Sequence, residues 1–248
     1  MIMKYGGVYI PNLANDGKYG IGQYRFPRNY ELNGKSFTIE ADGKTYDLAF
    51  TCRERAQLDG KACDYESLKL EKDTYFVRLG QDIAVINVEQ CLATLILGDT
   101  FVYGAFKGPD GKLPAARHAR AGDDMTDTKI RWVLGPNKYV NQEYIGGAKV
   151  RTAWSKNTVM IGNGMKSFRD NWEAAAEDYD DLPYTAVKIT EPMYLVEIKG
   201  GVREGVCAPK GTNRIVTLQD YERMMLVGCV FGEGFEPVMI TGYAKFLD

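Results

Sequence analysis

The sequence predicts an all-β protein built as two tandem antiparallel up-and-down β-barrels with one short helix, and three observations lead there. The first is a repeat: "DYESLKLEKDTYFVRLGQ" from Asp64 and "PYTAVKITEPMYLVEIKG" from Pro183 place Tyr65, Lys69 and Tyr75 against Tyr184, Lys188 and Tyr194 at a constant offset of 119 residues. "INVEQCLATLILG", ending at Gly98, then lines up with "VTLQDYERMMLVG", ending at Gly228, at an offset of 130, so the second copy reads as carrying an 11-residue insertion. The second is punctuation: short β-rich runs follow one another with Gly, Asn and Asp at the joints, and almost no helical period survives across them. The third is physical. Consecutive antiparallel strands must hide their outer edges, and closing each set into a cylinder does so.

Taken in order, residues 1–30 form an arm broken by Gly and Pro, whose tyrosines Tyr5, Tyr9, Tyr19, Tyr24 and Tyr30 suit packing over a barrel mouth. The first module spans 31–110. "KSFTIEADGKTYDLAF" is a hairpin around Asp42-Gly43, a dipeptide that accepts the positive φ angles of a two-residue turn, and "TYFVRLG", "DIAVINVE", "CLATLILG" and "TFVYGAF" continue as a meander. Residues 111–128, "GKLPAARHARAGDDMTDT", are polar and marked by Pro and Gly, which suits a linker. The second module, 129–248, reads "KIRWVLG", "KYVNQEYIG", "KVRTAWSK", "NTVMIGNG", "MYLVEIKG", "RIVTLQD", "RMMLVGCVFG" and "EPVMITGYAKFLD" as strands. Within it, "MKSFRDNWEAAAEDYDDLP" from Met165 carries Ala174-Ala175-Ala176 among acids and stops at Pro183, the pattern of a short helix.

Composition excludes several classes. Lys and Arg number 31 against 33 Asp and Glu, a formal charge of -2, so no global field attracts nucleic acid or an anionic membrane. Five scattered cysteines without a CxxC pair fit reduced thiols in a cytoplasmic protein. No run of about 18 apolar residues and no signal-peptide pattern appears. One histidine, His118, is too few for a zinc or iron site, neither GxGxxG nor a P-loop is present, and no GxSxG elbow supports a serine nucleophile. The reading is therefore cofactor-free and without a metal. His118 lies between Arg117 and Arg120, whose like charge disfavours an imidazolium and leaves a neutral base near pH 7.

What remains for chemistry is a barrel interior. Alternation sets Arg131 and Val133 on one face against Trp132 and Leu134 on the other, and Tyr139 and Asn141 against Val140 and Gln142. Glu143, Arg151 and Glu197 are the charged residues inside the most aromatic strands. Pointing inward they would suit acid/base work on a planar, mostly apolar molecule; pointing outward they would be cross-strand pairs worth little. The aromatic residues that bet on a pocket are Tyr75, Trp132, Tyr144, Trp154 and Tyr194.

Three segments, "KIRWVLGPNKYVNQEYIGGAKVRTAWS", "YTAVKITEPMYLVEIKG" and "IVTLQDYERMMLVGCVFG", together resemble the MoaF family of lipocalin-like proteins. A basic-aromatic strand, a Tyr-rich strand, a Trp-containing strand, a "YLV-charged" strand and a Gly-ending hairpin follow in the family's order, and "NGKSFTIEADGKTYDLAF" to "LILGDTFVYGAF" looks like the matching N-terminal module. The resemblance implies two lipocalin-like calycin barrels, at least one with an aromatic pocket. The leading functional expectation is a cofactor-independent lyase, isomerase or decarboxylase acting on an apolar or aromatic carboxylate or carbonyl compound. Arg131 or Arg151 would hold the anion, Glu143 or Glu197 would transfer protons, and Tyr144 or Tyr194 would hydrogen-bond developing charge, with Trp132, Trp154, Tyr75 and His118 as further substrate contacts. A non-catalytic small-molecule binding protein is the alternative. A packing or homodimerisation module is the third reading.

Overall fold

In a computed structural model, residues 26–71, 73–135, 138–155, 180–201 and 208–246 are described. They form strands joined by turns, with no helix among them. Accordingly none of these residues makes a helix long and apolar enough to cross a membrane. Residues 165–179 of the stretch expected as a helix, the strand "NTVMIGNG" and residues 1–25 of the arm lie outside the described residues, while the end of that stretch, Asp180 to Pro183, is strand rather than helix.

The first closed barrel contains β1 (Ser36–Ala41), β2 (Lys44–Cys52), β3 (Arg55–Leu58), β4 (Lys61–Lys69), β5 (Thr74–Leu79), β6 (Asp82–Asn87), β7 (Leu92–Leu97) and β8 (Thr100–Ala105), paired in sequence order. One of its two-residue joints is the one the sequence marks: Asp42 and Gly43 both have positive φ, 48° and 74°, as a two-residue hairpin twisting with its strands requires. Strands β3 and β4 escape the sequence reading because "RAQLDGKACDYESLK" is too polar to show a clear apolar alternation. Alternate side chains fill the cylinder, including Phe37, Ile39, Leu48, Phe50, Tyr65, Tyr75, Val77, Ile86, Leu95 and Phe106. The ring closes at one rung, Glu40 opposite Ala105. Beside it a Cβ at Gly104 would collide with Ile39 Cγ2, which favours glycine there.

The short β9 (Ala119–Arg120) follows, and then β10 (Lys129–Gly135), β11 (Lys138–Ile145), β12 (Lys149–Trp154), β13 (Asp180–Thr190), β14 (Met193–Lys199), β15 (Thr212–Asp220), β16 (Met225–Gly232) and β17 (Val238–Phe246). β10 pairs with β17 at one side and β12 with β13 at the other, so these eight strands also close, with β9 added along Val187 and Lys188 of β13. Each of the eight closing strands contributes to one apolar cluster, whose members include Ile130, Trp132, Val140, Tyr144, Trp154, Tyr184, Tyr194, Val196, Leu226 and Val230.

Both barrels are stoppered alike. A run of turns precedes the first strand and drops one apolar side chain into the core: Leu32, fully buried, four residues before β1, and Met125, 2% exposed, four residues before β10. Met125 belongs to residues 111–128, which read as linker from their polarity; Asp127 N–H donating to the Tyr144 carbonyl (2.8 Å) and Tyr144 N–H to Thr128 (3.0 Å) tie this stretch into the second barrel. The described residues divide into two compact units, those of 27–120 with 187–189, and residue 26 with those of 121–186 and 190–246.

The repeat also takes a different register from the one letter matching suggests. Tyr75 and Tyr194 keep the offset of 119, and both point inward. Across the barrel wall Tyr75 faces Ile86 and Tyr194 faces Gln219, which makes the offset there 133. An offset of 130 would equate inward Ile86 with Val216, whose neighbours Ile215 and Thr217 lie on the opposite face.

Candidate functional site

The interior of the second barrel holds a knot of polar groups. Period-two alternation along β10, β11 and β15 sends Trp132, Gln142 and Tyr144, and Thr217 and Gln219 to one face, the inside; the turn after β15 adds Tyr221. The Gln142 Oε1 accepts from Trp132 Nε1 (2.9 Å), the Tyr144 hydroxyl (3.0 Å) and Gln219 Nε2 (3.3 Å). Gln219 Oε1 accepts from Tyr221 (2.7 Å) and lies 3.0 Å from the Tyr144 hydroxyl, while Gln219 Nε2 donates to Thr217 (2.9 Å). Aromatic rings frame the knot edge to face: Tyr144 with Tyr184 at 5.0 Å, and Trp132 and Tyr194 each 5.9 Å from Tyr221.

Counting donors shows what this arrangement can do. Tyr144 has one proton and two amide oxygens within reach, so the phenol can change partner without moving. The Gln142 Nε2, a two-hydrogen donor, makes no hydrogen bond among the described residues. Burial pushes the Tyr144 and Tyr221 phenols above their ordinary range, and Tyr184 in the same direction; all three are therefore protonated donors at neutral pH. An indole, two amides, phenols and a threonine hydroxyl make a neutral set, lacking the carboxylates, thiolates or imidazoles that cations need.

The residues singled out from sequence fall into two groups. Trp132, Tyr144, Trp154 and Tyr194 meet in this interior. Glu143, Arg151, Glu197 and Arg131 do not: the inward placement considered for them gives way to the opposite face, because each neighbours an inward residue on its strand. There Glu143 pairs with Arg151 (3.5 Å) and Lys129 (3.3 Å), and Arg151 with Asp181 (2.9 Å). Glu197, 2% exposed, is held by Arg214 Nε at 2.7 Å. Arg131 donates to Asn141 (2.7 Å) and covers the Tyr139 ring at 4.4 Å.

Tyr75 lies in the other barrel, where its hydroxyl donates to Glu31 (2.7 Å). Burial and that carboxylate lift the phenol to about 12, while hydrogen bonds from Lys69 and Tyr75 hold Glu31 at about 2. His118, within the stretch expected as a polar linker, is buried: it is 4% exposed, with Nδ1 2.9 Å from the Thr94 hydroxyl of β7. Its pKa falls to about 4, and the cause is burial rather than the flanking arginines. Gln142, Gln219, Thr217 and Tyr221 went unread as a group. The available signal was a polar amide in phase with Trp132 and Tyr144 in otherwise apolar strands.

No protein-family description and no curated protein matches the chain. Among solved structures, one from Burkholderia vietnamiensis provisionally called a beta-lactamase is similar at 10% identity, covering 50% of this chain and 95% of that one, with a TM-score of 0.34.

Proposed function

We propose that the second barrel is a binding module for a small, uncharged, planar molecule carrying a carbonyl or similar acceptor. The observation that carries this reading is Gln142, a residue 3% exposed whose Nε2 makes no hydrogen bond among the described residues. A ligand carbonyl would take that donor, and the Tyr144 proton would turn toward Gln219 or the ligand as needed. The lipocalin-like, MoaF-like character of the sequence favours the same role. An acid/base enzyme built on Glu143 or Glu197 is less favoured, since both carboxylates pair with basic side chains on the outer face. A neutral interior also disfavours a carboxylate ligand, because a buried anion without a cation loses its hydration uncompensated.

Fluorescence of Trp132 and Trp154 supplies the test. Coumarin, acetophenone and benzamide are titrated against benzoate. Saturable quenching by neutral compounds is expected, at least about tenfold weaker for benzoate, and Gln142→Leu should abolish it. A flat response across the panel, or benzoate binding as well as benzamide, overturns the reading.

A further inference from the structure

The first barrel has an incomplete seam. β1 and β8 share one pair of facing residues, whereas the other neighbouring strands of that barrel share at least four. Hairpin geometry fixes where the backbone of β1 points. The two-residue turn makes Ala41 and Lys44 a hydrogen-bonded pair, and alternation puts Ile39 with Tyr46 and Phe37 with Leu48 in the same class. The Phe50 N–H donating to the Lys35 carbonyl (2.9 Å) continues the phase.

The N–H and C=O groups of Ser36, Thr38 and Glu40 therefore point away from β2, toward β8. Glu40 meets Ala105 there; Ser36 and Thr38 meet no strand. Phe106 N–H donates to the Cys91 carbonyl (3.0 Å), extending β8 along β7 by one rung, and the chain then leaves through a turn from Gly108 N–H to the Lys112 carbonyl (3.0 Å). Pro109, where a continued β8 would face Ser36, has no N–H to offer. In the parting lies a pocket of about 560 Å³, lined by Ser36 to Thr38, Val88, Cys91 and Phe106, with Lys107 at its rim.

We propose that this slot receives the C-terminal end of an extended peptide. Its backbone adds alongside β1 at Ser36 and Thr38, its last aliphatic side chain lies on Phe37, Val88, Cys91 and Phe106, and its carboxylate meets Lys107. Three features select this occupant. Backbone groups two residues apart repeat at the spacing of a strand and match main chain rather than a compact solute. The floor is apolar and the volume is that of a small-ligand site, large enough for one or two residues. Lys107 is exposed with no ion pair among the described residues, while Glu40 at the closed end repels a carboxylate, so the chain runs antiparallel to β1.

The test uses the whole ¹⁵N-labelled protein and acetyl-Ala-Val-Leu with a free carboxylate. Saturable shifts are expected in the amides of Ser36, Thr38 and Phe106 to Gly108. Amidating the peptide C-terminus should weaken binding about threefold, the scale of one exposed ion pair. N-methylation of its Val and Leu amides should abolish binding, as should Thr38→Pro, which deletes an outward N–H. The N-methylated peptide on unaltered protein decides the matter even if Thr38→Pro fails to fold. The proposal is overturned if millimolar parent peptide leaves these amides unmoved, or if the N-methylated peptide binds equally well.

Discussion

The two barrels share a plan and differ in what fills them. Counting from each stopper, Leu48 faces Phe37 in the first barrel as Gln142 faces Ile130 in the second, and Ile86 faces Tyr75 as Gln219 faces Tyr194. Ile39, Leu48, Phe50 and Ile86 thus stand where Trp132, Gln142, Tyr144 and Gln219 stand. Even the ring contacts correspond: Phe50 meets Tyr65 at 4.8 Å, and Tyr144 meets Tyr184 at 5.0 Å. Closure is therefore insensitive to interior polarity provided that the polar groups satisfy one another. One copy spends its interior on packing, and the other keeps hydrogen-bonding capacity inside it.

The largest expected effect tests what the barrels have in common. Leu32→Ala and Met125→Ala should each cost about 3 to 4 kcal/mol as the stopper leaves a cavity. Calorimetry with hydrogen exchange should find protection lost in β1–β8 for the first and in β10–β17 for the second. Equal loss in both barrels from either change would break the idea of two self-sufficient cylinders.

Acid should separate them next. An unfolded His118 takes up its proton near its ordinary 6.5, whereas the folded group holds off to about 4. Stability from this residue is therefore complete above pH 6.5 and is lost as pH falls toward 4, by about 3 kcal/mol. His118→Gln should flatten that slope in denaturation between pH 7 and 4.5, with the change confined to the first barrel.

A smaller effect probes the difference itself. Gln219→Ile alone strands the hydroxyls of Tyr221 and Thr217, while Tyr144 keeps Gln142 as its acceptor, and should cost about 2 kcal/mol. Copying the first barrel throughout, with Trp132→Ile, Gln142→Leu, Tyr144→Phe, Thr217→Ala, Gln219→Ile and Tyr221→Val, removes both halves of each hydrogen bond. Stability should then return substantially, apart from the volume lost, while quenching by neutral carbonyl compounds disappears. Smallest of all, Glu143→Gln should change stability by less than about 0.5 kcal/mol and ligand quenching not at all, as suits a half-exposed pair.

The strands around Asp42-Gly43, from β5 to β8 and from β10 to β12 were legible because apolar alternation and turn residues agree there. β3 was not, since its four residues show too little pattern. Alternation correctly separated Trp132 and Gln142 from Arg131 and Asn141, yet a period of two says only that faces differ. Which face is wet depends on partners distant in sequence, such as Asp181 for Arg151 and Arg214 for Glu197. The same limit hid His118: its neighbours in the chain are polar, and Thr94, 24 residues away, is what it packs against. The Tyr144–Gln219 contact spans 75 residues and has no local trace.

The closure at Gly104 has a consequence for life at high concentration. With a side chain at that position, Ile39 could not sit where it does, and the one rung between Glu40 and Ala105 would part. The cylinder would become a ribbon with two raw borders, each able to template a strand from a neighbouring molecule. A side chain at this one position is thus expected to raise edge-to-edge association between molecules.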